Sequence, residues 1–358
     1  MSDQKLDDSI LAEIEEYSSI SIKKTEIDQF QTDAKYKRMK RSKDRLEAFN
    51  NFSLSQAFNS EAHLEKMKQG QKQRAVSFKN RLPFIHDQLT QMITLAAQEF
   101  IFIGGKTGRG KSTTIANVII PFIKIKKKVL VISNEEMAVS ILNRAICITR
   151  GWNINEFKSF TQEQLDYLDK ARAVLNKFVH VVDAEFILLP GATRSKEGLK
   201  AILEQATKEK YGLILIDYFQ KFSESEEESQ ATKVQNLTDI VEYLDAYVKR
   251  TEAPVVLMGQ LKTEGKDRPE FEDRVKECKA VVQNCTQAYE IITDKELLKT
   301  TFISRKDRWN ESDNRAVEMG FSKGRYVPYT DEFKAEVAHS KMRKEEKQEE
   351  IDMLKGIE

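Results

Sequence analysis

The residues best equipped for chemistry stand in the run GGKTGRGKST, where Gly105, Gly110, Lys111 and Ser112 fit the spacing G-x-x-x-x-G-K-[ST]. Phosphate groups need several backbone N–H donors converging on one point. Glycine lets a chain curl that tightly because it tolerates positive φ. The apolar run FIFI (Phe100–Ile103) ahead of the loop reads as a strand. The run TTIANVIIPF behind it reads as a helix with Ile115, Val118, Ile119 and Phe122 on one face. Such a helix adds the positive end of its dipole to the loop. The stretch Gly105, Lys106, Thr107, Gly108, Arg109, Gly110, Lys111, Ser112 and Thr113 is therefore the expected cradle of a nucleoside triphosphate. Lys111 is expected to reach the β and γ phosphates, and the Ser112 hydroxyl to ligate Mg²⁺.

Phosphoryl transfer also needs a carboxylate near the metal and a group that orients the attacking water. The run YGLILIDYF places Asp217 at the end of a buried apolar strand, where the metal carboxylate is expected. Tyr218 follows it, so the water-orienting residue has to come from another strand. In VLVISNEEM, Glu135 and Glu136 follow the strand after the cradle helix. They would lie at the carboxyl edge of the sheet, where ligands bind in open α/β folds. The plainer reading of two glutamates at a helix start is that they favour the helix dipole. A third strand, APVVLMGQLK, ends in Gln260, either a contact to the γ-phosphate or a simple capping side chain. No N-K-x-D guanine motif is present, so ATP is the expected nucleotide.

Those residues need a scaffold with several strand ends at one edge. Near-continuous apolar runs mark strands at Phe100–Ile103, Val129–Ser133, Phe178–Val182, Leu213–Asp217, Pro254–Met258, Tyr289–Ile292 and Thr301–Ser304. Helical stripes run through Leu168, Ala171, Leu175 and Phe178, through Leu199, Ile202, Leu203 and Ala206, and through Val234, Leu237, Val241, Leu244 and Val248. The alternation predicts an α/β domain over 81–330, with a mostly parallel central sheet flanked by helices. Residues 1–80 are polar, acidic at first and basic from KYKRMKRSKDR onward. Ile10, Ile14 and Tyr17 there form a short stripe, so the segment reads either as a solvated arm or as one that docks on another subunit. Residues 331–358 read as a charged tail. With 358 residues and a net charge of +1, bulk charge names no partner, and a nucleic-acid site has to be a local patch. Cys147, Cys278 and Cys285 form no close pair, which fits a reducing, cytoplasmic or otherwise intracellular setting, and the four scattered histidines give no metal motif. No apolar run reaches the roughly 20 residues that a membrane span needs, so no membrane role is expected.

The ordered set GKS, SNEEM, LIDYFQ, GQLK and RKDR resembles the RecA-like ATPase domain of DnaB-type replicative helicases. SNEEM is similar also to the glutamate pair of RadA and KaiC proteins. The resemblance covers roughly 82–329, with Gln283 retained in KAVVQNCTQAYEII. It implies the RecA-like fold, ATP with Mg²⁺, and Glu135 as the catalytic glutamate. It further implies a nucleotide contact from Arg144, a γ-phosphate sensor in Gln260, and a Lys306–Arg308 pair that reaches into a neighbouring subunit's site. The partners implied are single-stranded DNA, further copies of the chain in a hexameric ring, and primase or other replication proteins. Three departures stand out. The first 80 residues do not look like the family's primase-binding domain, SESEEES is acidic where a DNA-contacting loop favours Lys or Arg, and DRVKECK fits only loosely. The loop after Gln260 does carry Lys262, Lys266, Arg268, Arg274, Lys276 and Lys279, either a phosphate-contacting set or a surface loop of mixed charge. The resemblance thus implies a helicase or translocase, the alternative being a recombinase-like or KaiC-like ATPase that binds DNA or protein without unwinding.

Overall fold

A computed structural model describes Glu65 and residues 81–183, 195–222, 230–262, 270–308 and 315–355. The expected arm over 1–80, the run SESEEES, Lys266 and Arg268 lie outside the described residues. The fold is that of the unit Ala75–Glu358.

Nine strands form one sheet in the order β3-β2-β4-β5-β1-β6-β7-β8-β9. They are β1 (Phe100–Gly105), β2 (Val129–Ser133), β3 (Val179–Val182), β4 (Leu213–Asp217), β5 (Val255–Gln260), β6 (Gln287–Asp294), β7 (Lys299–Asp307), β8 (Ala316–Ser322) and β9 (Arg325–Pro328). Strands β1 to β6 are parallel, and β7 to β9 extend the sheet as antiparallel hairpins. The helices are α1 (Asp87–Met92), α2 (Lys111–Lys124), α3 (Ala138–Arg150), α4 (Gln162–Leu175), α5 (Lys196–Glu209), α6 (Gln230–Val248), α7 (Phe271–Arg274), α8 (Ala280–Asn284) and α9 (Asp331–Lys355).

Successive strand residues face opposite sides of a sheet, and here both sides are covered. Phe100, Phe102, Leu130, Ile132, Ile214, Ile216, Val255 and Leu257 pack under α5, α6 and α8. The alternate residues Ile101, Ile103, Val129, Val131, Leu213, Leu215, Val256 and Met258 pack under α1, α2 and α3. Burial on both faces explains why these strands read as unbroken apolar runs. The stripe Leu199, Ile202, Leu203 and Ala206 is the buried face of α5, whose N-terminus is capped by Ser195 accepting from the Gly198 N–H at 3.0 Å. In α6 the face is Leu237, Ile240, Val241, Leu244, Tyr247 and Val248, whereas Val234 of the expected stripe is exposed. Helix α4 buries only Leu168 fully.

Strands β8 and β9 have no counterpart among the expected elements. In AVEMGFS only Met319 and Gly320 are buried, so no apolar run marks the strand. The charged tail starts as a docked helix. A side chain at Gly320 would collide with the Phe333 ring, so the first turn of α9 sits directly on β8. None of the described helices is long and apolar enough to cross a membrane.

Candidate nucleotide site

Because β1, β2, β4 and β5 are parallel neighbours, their carboxyl ends share one edge. The register pairs Ser133 with Asp217 and Gly105 with Gln260. The cradle loop, the glutamate pair, Asp217 and Gln260, far apart along the chain, are thus drawn to one place. The loop, the glutamates and Gln260 border a cavity of 770 Å³, lined by Lys111, Ser112, Thr113, Glu135, Glu136, Arg144, Tyr218 and Gln260 together with Thr107, Gly108 and Gly110.

The loop has the curled form that the glycines permit, with φ of +68° at Gly108 and +91° at Gly110. The Lys111 ammonium folds back over it and donates to the carbonyls of Gly105 and Lys106, each at 3.2 Å. Burial pulls its pKa down, against the opposing charges of Asp217 and Glu135. The Ser112 hydroxyl donates to Asp217 Oδ2 at 3.2 Å. Asp217 is fully buried, and its Oδ1 has no hydrogen-bond partner among the described residues. Burial, and then the charge of Glu135, push this carboxyl up to about 7. An unsatisfied buried carboxylate oxygen beside a serine hydroxyl is a donor set that fits a divalent cation.

The two adjacent glutamates differ in their surroundings. Glu136 is held by the Arg144 guanidinium in two hydrogen bonds of 2.7 and 3.2 Å. Its backbone is pinned to the Ser133 hydroxyl, which accepts from the Glu136 N–H and donates to its carbonyl. Glu135 is exposed toward the cavity and makes no hydrogen bond or ion pair among the described residues. Arg144, expected on the nucleotide, lines the cavity with its guanidinium engaged by Glu136. Gln260 donates from its side-chain amide to the Thr107 hydroxyl of the cradle.

Several groups escaped the sequence reading. Buried Gln220 grips the backbone of Gln260 from both sides: its Oε1 accepts from the Gln260 N–H at 3.1 Å and its Nε2 donates to the Gln260 carbonyl at 3.2 Å. Thr293, Leu298, Thr300, Phe321 and Tyr326, from β6 to β9, close the other side of the cavity. Arg109, expected on the nucleotide, directs its guanidinium to the Thr293 carbonyl at 2.6 Å instead. Arg274 departs from the expected DNA-contacting set. It is 3% exposed and forms two 2.7 Å bonds to the Glu290 carboxylate, because a buried guanidinium needs a paired acceptor. Of the rest of that set, Lys279 pairs with Asp273, and Lys262 and Lys276 are partly exposed.

Lys306 and Arg308 lie at the opposite edge of the sheet. Strand β7 runs antiparallel, and Asp307 pairs with Gln287 near the start of β1. There Lys306 donates to the carbonyls of Val282 and Gln283, and Arg308 to Gln283 at 2.9 Å. A strand the length of β1, roughly 16–20 Å, separates them from the cradle of their own chain.

Comparison with known proteins agrees with this geometry. The family model for the DnaB-like helicase C terminal domain matches residues 82–275. The fold is similar to a solved ATPase domain, with a TM-score of 0.59 and 14% identity over 76% of this chain and 100% of that one. It is similar as well to a DnaB-like replicative helicase studied for its interactions with primase, with a TM-score of 0.57 and 15% identity over 87% of this chain and 82% of that one. No curated protein gives a significant match. With more than half of its length matched and the strand order and cradle in place, the chain belongs to the DnaB-like helicase C-terminal domain family.

Proposed function

We propose that this protein is an ATP-driven motor that hydrolyses ATP at interfaces between its own copies, in a hexameric ring, and moves along single-stranded DNA. One observation carries the reading: an uncommitted carboxylate, Glu135, faces the cavity that Lys111 and Ser112 also line, with Asp217 bonded to Ser112. A protein that only bound nucleotide would have no use for it.

Lys111 and the loop N–H groups hold the phosphates, and Ser112 and Asp217 would hold Mg²⁺. That ion would supply positive charge against the charge of the phosphates. Glu135 orients a water in line with the γ-phosphorus and accepts its proton as the new P–O bond forms and the bond to the ADP oxygen breaks. Gln260, bonded to Thr107 and braced by Gln220, reports loss of the γ-phosphate to the loop that follows it. Lys306 and Arg308 of a neighbouring copy stabilise the charge on the transferring group. Lys262, Lys266 and Arg268 contact the DNA backbone, and primase or other replication proteins are the partners this role entails.

The test is strand displacement on a forked duplex with a single-stranded tail, with ATP and with a non-hydrolysable analogue. Displacement that needs hydrolysis is the expected result. DNA-stimulated hydrolysis without displacement would replace the helicase reading with that of a recombinase-like ATPase.

A further inference from the structure

The end of β6, outside the residues matched by the family model, holds the phosphate cradle in a reciprocal grip. The Thr293 hydroxyl, at the end of β6, donates to the Arg109 carbonyl at 2.9 Å, and the Arg109 guanidinium donates back to the Thr293 carbonyl at 2.6 Å. A hydroxyl has one proton. With that proton on Arg109, the Thr300 hydroxyl 3.3 Å away can only donate to Thr293, and so fixes its rotamer from behind. The neighbouring Gly110 carbonyl is held differently, by the N–H of Thr114 at 2.8 Å in the first turn of α2 and by the Thr114 hydroxyl at 3.0 Å. No helix N–H reaches the Arg109 carbonyl, so among the described residues Thr293 is what holds it.

In a trans peptide the C=O of one residue and the N–H of the next point in opposite directions. A carbonyl of Arg109 tied back to β6 therefore turns the Gly110 N–H the other way. Gly110 lines the cavity, and its left-handed φ of +91° leaves this peptide plane without the restraint a side chain would give. We propose that Thr293 is a positioning residue of the nucleotide site, fixing the Arg109–Gly110 peptide so that the Gly110 N–H is aimed at phosphate, with Arg109 as its brace rather than a nucleotide contact. This rests on the reading of the loop as a phosphate cradle.

The test uses the full chain and a fluorescent ribose-labelled ADP, with inorganic pyrophosphate as competitor. Thr293→Val keeps the shape and removes the donor. It should weaken the labelled ADP roughly tenfold, the scale of one well-aimed hydrogen bond to a charged group. Pyrophosphate should weaken by the same factor, because the lost aim acts on phosphate and not on the nucleoside. Thr293→Ser, which keeps the hydroxyl, should restore both. Lys111→Ala is the reference for the cradle itself. If Lys111→Ala loses affinity while Thr293→Val binds both probes as the parent does, the positioning role is overturned and the cradle stands. If Lys111→Ala also binds as the parent does, the cradle reading fails. A Thr293→Val protein that melts earlier yet binds normally, or loses ADP but not pyrophosphate, would also overturn the proposal.

Discussion

At the scale of single residues, the glutamate pair shows how neighbours can be given different work. Glu135 and Glu136 carry the same group at adjacent positions, but Arg144 neutralises Glu136 from two turns along α3 and leaves Glu135 to the cavity. A carboxylate held in a two-point ion pair has its oxygens occupied, while an unpaired one is open to a water. Glu135→Gln should therefore bind ATP normally and slow its steady-state hydrolysis roughly 10²-fold or more. Glu136→Gln should cost less, since it frees Arg144 without removing the base. Should single-turnover measurements show Glu136→Gln to be the more damaging, the two roles would have to be exchanged. Burial of Asp217 belongs to the same scale: with the charge of Glu135 it pushes this carboxyl up to about 7, against the hydrogen bond from Ser112 that lowers it.

At the scale of elements, the segment after β5 is tied to the sheet by one buried carboxylate. Glu290 on β6 is 3% exposed and accepts from Arg274 of α7 and from Arg305 of β7. Burial raises its pKa, but the hydrogen bonds and charges of the two guanidiniums outweigh that and hold it below the ordinary value of 4.5. A depressed pKa contributes stability that is fully present above the unfolded value and is lost as pH falls through the folded one. Glu290→Gln should cost about 3–5 kcal/mol of unfolding free energy at neutral pH, because it strands a buried guanidinium. Urea melts from pH 7 downward should also show a shallower loss below about pH 4.5 than the parent shows. Parallel acid limbs for the two proteins would mean that Glu290 does not hold this segment in place.

At the scale of the whole molecule, the sheet separates the cradle from the Lys306–Arg308 pair. The cradle stands at the carboxyl edge of the parallel strands, and Lys306 and Arg308 stand at the other edge, bonded to the last carbonyls of α8. If ATP is hydrolysed between copies, an Arg308→Ala protein should bind ATP and hydrolyse it about 10³-fold or more slowly. Mixing it with Lys111→Ala protein should restore part of the activity, because some interfaces then join an intact cradle to an intact arginine. The recovered activity should vanish on dilution. Normal hydrolysis by Arg308→Ala alone would remove the trans role, and with it the main reason to expect a ring.

The sequence by itself determined the fold class and located most residues of the candidate site. The cradle is contiguous, its glycines and lysine are fixed by spacing, and strands buried on both faces leave unbroken apolar runs that need no long-range information. Gln260 and Asp217 were legible because each ends such a run. Tertiary structure alone decided which glutamate is free, that Arg109 braces β6, that Arg274 is buried, and that Gln220 grips Gln260. Those outcomes depend on contacts between distant parts of the chain; the Arg109–Thr293 pair spans 184 residues, and no local periodicity encodes it. The strands β8 and β9 were hidden for a related reason. They are half-exposed, and their burial comes from α2 and α9 packing against them, not from a pattern of their own.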